Sequence, residues 1–296
     1  MNYYYLSIII IVLALVINGY ITSGHMTSGY MTNAQKKEQF QINIPVNFPN
    51  DFNFTNDYLS MFNSGDIQAR NLNGNIEEVY ANSVVVPSIT QKNICQNIVD
   101  TLLETVNKDK HRTFLKTPWN IVLFRNIENN FPHTHEDVIL YPLNKVENDE
   151  NSQITFVHEK AHVFQKRNPE VFEDLYMNYW GFKKTNISQG NISFDIRSNP
   201  DTPNLHWTFQ DHVLLVKYNP NPKNLNDVSY VAYNPETKET IELRKWKPFV
   251  DYFGQGNINY YHPDEISATM ISNYCFDYNE STPGFKQMVK WYNTID

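Results

Sequence analysis

The string His158-Glu159-Lys160-Ala161-His162 carries the clearest chemistry in the chain. Two histidines four apart on a helix differ by about 40° in azimuth and about 6 Å in rise. Both imidazoles then reach one Zn²⁺ at about 2.0–2.1 Å. Glu159 falls further round the helix, beside the metal and not on it, where it can take a proton from water held there. With 9 His in the chain such a string does arise by chance, so its setting matters. Ile154, Val157, Ala161 and Phe164 recur at i, i+3, i+7 and i+10 and predict a core-facing helix over about 152–167. The histidine face is offset from that stripe.

Catalytic zinc keeps three protein ligands and one open position. A metzincin would place Gly at 165 and His at 168, and this chain has Gln165 and Asn168. The remaining option is a carboxylate from a later helix. The best candidate is Glu265 in His262-Pro-Asp-Glu-Ile-Ser-Ala268. Pro263 suits the first helical position, so Glu265 falls in the first turn. Ile266, Met270 and Tyr274 form that helix's apolar face and Glu265 lies off it, while Ala268 is small enough to admit the histidine helix. The helix dipole alone also favours acids there. Alternative ligands are Glu170 and Glu173, and His133 and His135 in His133-Thr-His-Glu136, which reads as a polar loop. Tyr260, Tyr261, His262 and His206 are candidate donors to a developing oxyanion. Arg197-Ser-Asn-Pro-Asp201 reads as a turn, with a substrate-binding loop as the alternative.

Other elements must position these residues. Ile94, Ile98, Leu102 and Val106 recur every four residues and predict a helix of about 18 residues. Asn120–Phe124 and Val138–Tyr141 are short apolar runs, read as strands. Residues 41–87 are polar and turn-rich. Asn168-Pro169 predicts a helix start, Asn as N-cap, with that helix running to about Phe182. Over 207–245 short apolar runs alternate with Asn-Pro turns and predict a β-meander of three or four strands. Helices are expected from Pro263 to about Tyr274 and near 284–293. The expected class is α+β.

The histidine helix followed by a later helix bearing Glu-x-x-Ala resembles the gluzincin branch of zinc metallopeptidases. The longer string Val157-His-Glu-Lys-Ala-His-Val-Phe-Gln165, with His262-Pro-Asp-Glu-Ile-Ser-Ala268, resembles more narrowly the uncharacterised membrane-anchored metallopeptidases of large DNA viruses. The abundance of Asn suits that origin. The resemblance covers about residues 115–280. It implies a zincin-like catalytic domain over 41–296, with His158, His162 and Glu265 as metal ligands and Glu159 as base. Two features depart from it. About 100 residues separate His162 from Glu265, several times the usual length, which the meander accounts for as an insertion. The family often carries an Asp four residues after the ligand Glu to orient the first His. Here that residue is Thr269, leaving Asp201 or Asp195 to serve.

The chain has 296 residues, 41% hydrophobic, and a net charge of -8. That composition supports a real core, and the absence of a basic block argues against nucleic acid. Cys95 and Cys275 are too few for a disulfide scaffold and lack metal-ligand spacing. Tyr3–Ile21 is nearly unbroken apolar sequence and would span about 30 Å as a helix. Residues 1–22 are therefore expected to be a single-pass membrane anchor, or a signal peptide that leaves the protein secreted. Residues 23–40, with Thr22-Ser-Gly-His-Met echoed as Thr27-Ser-Gly-Tyr-Met, read as a flexible linker.

The expected function is zinc-dependent hydrolysis of peptide or protein substrates by a membrane-tethered endopeptidase. One rival is a zinc hydrolase of a non-protein amide. The other is a membrane-anchored structural or virion protein with an inactive zinc site.

Overall fold

The computed structural model describes residues 44–106, 114–187, 192–202, 206–255, 259–278 and 280–295. The anchor and linker expectations, on 1–22 and 23–40, lie outside the described residues. Among the described residues no helix is long and apolar enough to cross a membrane. The class is α+β, with two five-stranded sheets and helices around them.

Strands β3 (Trp119–Phe124) and β5 (Val138–Pro142) are buried along almost their whole length. Such continuous apolar runs suit strands covered on both faces. They pair in parallel, with Ile121 opposite Ile139. β1 (Val46–Asn47) lies parallel to the start of β3, and β2 (Val84–Val85) antiparallel to its end. On the other side of β5 the antiparallel β4 (His133–His135) forms the edge. This corrects the reading of His133-Thr-His-Glu136 as a polar loop. All three residues of β4 are buried, because the two imidazoles stack among Phe54, Tyr58 and Phe124.

Between β1 and β2 the turn-rich stretch folds into three short helices, α1 (Asn56–Ser60), α2 (Ser64–Ala69) and α3 (Ile76–Ala81). None is long enough to display an apolar stripe, which needs two turns or more. α4 (Ile89–Thr105) starts at a Ser88–Gln91 capping box and buries Cys95, Ile98, Val99 and Leu102.

α5 (Glu150–Arg167) carries the two histidines. The Asp149 side chain accepts the Ser152 N–H at its start, and Lys166 and Arg167 complement the dipole at its end. Its buried face is wider than the predicted stripe. Phe156 and Val163 are buried, whereas Ile154 and Phe164 are half-buried. Burying a side chain such as Phe156 stabilises the fold by about 1.5–3 kcal/mol. Lys160 fixes the rotation of the helix. Its Nζ donates to the Pro118 carbonyl at 2.6 Å and lies 4.9 Å from the centre of the Trp119 ring. Burial brings that ammonium down to about 7.

α6 (Pro169–Asp174) is shorter than predicted. It passes into a π-turn over Leu175–Tyr179, Gly181 takes φ +75°, and Phe182 opens a strand. A left-handed glycine here reverses the chain at little cost. The Asn168 side chain accepts no N–H of α6; its amide donates instead to the Phe164 carbonyl. The second sheet is an antiparallel meander of β6 (Phe182–Thr185), β7 (His206–Phe209), β8 (His212–Tyr218), β9 (Val228–Tyr233) and β10 (Thr240–Glu242) in spatial order. The segment 207–245 supplies four of these strands, and β6, which begins where the predicted helix ends, is a fifth. The unanticipated α7 (Lys247–Phe253) follows. α8 (Pro263–Cys275) packs along α5, and α9 (Pro283–Tyr292) closes the chain.

Candidate metal centre

α5 also rests on β4 and β5, so its histidine face looks along α8. His158 and His162 lie one turn apart on that face. α8 begins at Pro263, with the His262 side chain accepting the Asp264 N–H as N-cap. This start brings Glu265 to the two imidazoles. Almost all of α8 is buried, Glu265 with it.

Three donor atoms converge. His158 Nε2 and His162 Nε2 are 3.1 Å apart. Glu265 Oε2 is 3.4 Å from the first and 3.7 Å from the second. A tetrahedron with ligands at about 2.0–2.1 Å from its centre has edges of about 3.3–3.4 Å. The spacing and the donor types therefore fit one zinc ion. Among the described residues this is the one group of three or more His, Cys, Asp or Glu so placed. The His162 side chain is fully buried and Glu265 is 5% exposed, while His158 is 14% exposed. The cluster thus meets solvent on the His158 side.

The electrostatics demand positive charge here. Burial opposes a charged ring at His162, but Asp201 and Glu265 outweigh it and bring the imidazole up to about 10. Burial likewise opposes charge on Glu265, and the two histidines outweigh it, holding the carboxyl well below its usual range. Glu159 differs. Burial and the Asp201 charge push its carboxyl well above the usual range. Thr134 Oγ1 on β4 donates to Glu159 Oε2 at 2.9 Å.

Gln165, read from sequence only as a missing Gly, orients His162. Its Oε1 bonds His162 Nδ1 at 2.7 Å, and its Nε2 donates to the Asp264 carbonyl and Ser267 Oγ, each at 2.8 Å. Those two acceptors fix the amide orientation, so His162 carries a proton on Nδ1 and turns Nε2 toward the cluster. The visible signal was its place three residues after His162, on the same helix face. Thr269 does not serve: its hydroxyl is buried without a partner.

Of the two candidate orienting acids, Asp201 is at the site. It accepts the Thr134 N–H and acts on the charges of Glu159 and His162. Asp195 is not; it accepts from Ser64 Oγ and the Gly65 N–H at the start of α2. Thr134 turns both backbone groups away from β5, its N–H to Asp201 and its carbonyl to Lys166 Nζ.

The alternative ligands lie elsewhere. His135 packs against Phe54 and Tyr58 and His133 against Phe124, where burial favours their neutral forms. Glu170 is exposed and Glu173 pairs with Lys184. Among the oxyanion candidates, Tyr260 donates to Glu280 and Tyr261 to Glu265. His206 is half-buried on β7. Comparison with protein-family models, curated proteins and solved structures finds no match to this chain.

Proposed function

We propose that the chain is a zinc-dependent peptidase with a zincin-like catalytic arrangement of the gluzincin kind. The observation that carries this reading is the convergence of His158, His162 and Glu265 at tetrahedral spacing, from two helices about 100 residues apart in sequence. His158, His162 and Glu265 would hold the ion. Zinc, when bound, polarises a carbonyl and lowers the pKa of water. Glu159 accepts a proton from the attacking water and passes it to the leaving amine. Thr134 Oγ1, donating to Glu159 Oε2, steadies its carboxylate. A peptide or protein is the proposed substrate. Tyr3–Ile21 is proposed to tether the enzyme to a membrane, a part of the reading that fails if carbonate extraction releases the intact chain.

The burial of Glu265 and Glu159 favours one rival, a zinc site that serves structure alone. Purified protein separates the two. We expect one zinc per chain, lost in His158→Ala. Glu159→Gln should keep the metal and lose peptide hydrolysis by about 10²–10⁴-fold. Metal-loaded wild type without hydrolysis of unfolded proteins would favour the structural reading. Wild type without metal would overturn both.

A further inference from the structure

Glu265 has two oxygens, and they do different things. Oε2 faces the two imidazoles. Oε1 accepts from Asn199 Nδ2 at 2.6 Å and from Tyr261 Oη at 3.1 Å. Asn199 Nδ2 also donates to Tyr261 Oη at 2.6 Å, so the three groups form a closed ring of hydrogen bonds. The amide orientation is set independently. Asn199 Oδ1 accepts the Asp201 N–H at 3.0 Å, which leaves only the NH₂ end to face the carboxylate.

Asn199 is itself held from both sides. On one side, Ser198 donates its N–H and Oγ to Asp66, and the Ser198 carbonyl accepts from Arg70 Nη2 at 2.9 Å. On the other, the Pro200 carbonyl accepts from Lys166 Nζ at 2.8 Å. The backbone of residue 199 thus spans from α2 to the end of α5 with little freedom to shift. The turn expected at Arg197-Ser-Asn-Pro-Asp201 is confined to its end, where the Thr202 N–H reaches the Asn199 carbonyl, and Asn199 at its start delivers one donor to the cluster.

We propose that Asn199 is a positioning residue: by occupying Oε1 it makes Glu265 a one-oxygen metal ligand and keeps Oε2 aimed at the histidines. A carboxylate with both oxygens free can swing or chelate through both. One with an oxygen engaged by two donors presents a single oxygen in a fixed direction. Groups that orient a ligand in this way contribute about 10- to 100-fold in metal affinity. This inference rests on the reading of Glu265 as a metal ligand.

The test is Co²⁺ binding to the full chain, followed by the visible absorption of the ion and by competition with a chelator. Asn199→Asp keeps the shape and the acceptor toward the Asp201 N–H, but it replaces the donor with a carboxylate against Glu265. We expect about 10- to 100-fold weaker Co²⁺ binding and a changed visible spectrum. Asn199→Leu should do the same without added charge. Tyr261→Phe, which removes one of the two donors, should have a smaller effect of the same kind. A merely structural role for Asn199 would lower the unfolding midpoint of the metal-free protein and leave the spectrum of the bound ion unchanged. Affinity and spectrum equal to wild type in both Asn199 variants would overturn the assignment while leaving the metal reading intact. Wild type that binds no Co²⁺ or Zn²⁺ would overturn the metal reading, and this inference with it.

Discussion

The buried polar clusters around Arg70 and around Glu265 are wired in opposite ways. Around Arg70 every strong group has a partner. The guanidinium donates to Asp66, Glu128, Tyr58, Tyr218 and the Ser198 carbonyl, and Glu128 also accepts from Tyr58 and Tyr80. The cation is part of the chain, and the network closes on itself. Around His158, His162 and Glu265 the acceptors point at one another and the chain supplies no permanent cation among them. A closed network holds structure. An open one leaves room for a charge from outside. The Asp66–Ser198–Asn199–Glu265 chain of contacts joins the two.

The largest effect should come from breaking the closed network. Arg70→Met leaves Asp66 and Glu128 buried without their cation. We expect a loss of about 3–5 kcal/mol in chemical unfolding. The acid limb of stability should become shallower as well. Burial alone would raise the Glu128 carboxyl, but Arg70 and His133 outweigh it and hold it below its usual value of 4.5. The stabilisation this gives is full above that unfolded value and is lost as pH falls through the depressed folded value. Without Arg70, burial pushes the Glu128 carboxyl up, so the variant should lose less stability on acidification than wild type. Parallel acid limbs for the two proteins would show that Arg70 is not what holds Glu128 ionised.

The smaller effect belongs to the open cluster and should appear in metal binding more than in folding. Gln165→Leu removes the acceptor that orients His162. On the proposed reading zinc affinity falls by about 10- to 100-fold in chelator competition. An unchanged affinity with a large loss of apo stability would mean that Gln165 only joins α5 to α8.

The histidine helix and the start of α8 were legible because their signals are local: a periodic stripe, a four-residue spacing, a proline at a helix start. The geometry of three side chains meeting follows from two such local features and one packing contact. Asn199 and Asp201 were not legible as site residues. Asn, Pro and Asp are ordinary turn residues, and what gives them a role is a set of contacts to α2, β4 and α8 that no window of sequence contains. α1, α2 and α3 were missed because helices of five or six residues cannot show a period. β4 was missed because His-Thr-His reads as polar, although aromatic neighbours bury it. The end of α6 was missed because the π-turn and Gly181 interrupt an apolar run that continues into β6.

The capping of Thr134 has a consequence for the protein in crowded solution. A strand at the rim of a sheet offers unpaired N–H and C=O groups, the template on which another molecule begins a ladder. At Thr134 both groups are already taken, by Asp201 and Lys166 of the same chain. β4 is also only three residues long, with an ammonium against its rim. At its middle residue, that side of the first sheet has no free backbone group from which intermolecular β-pairing, and so aggregation, could start.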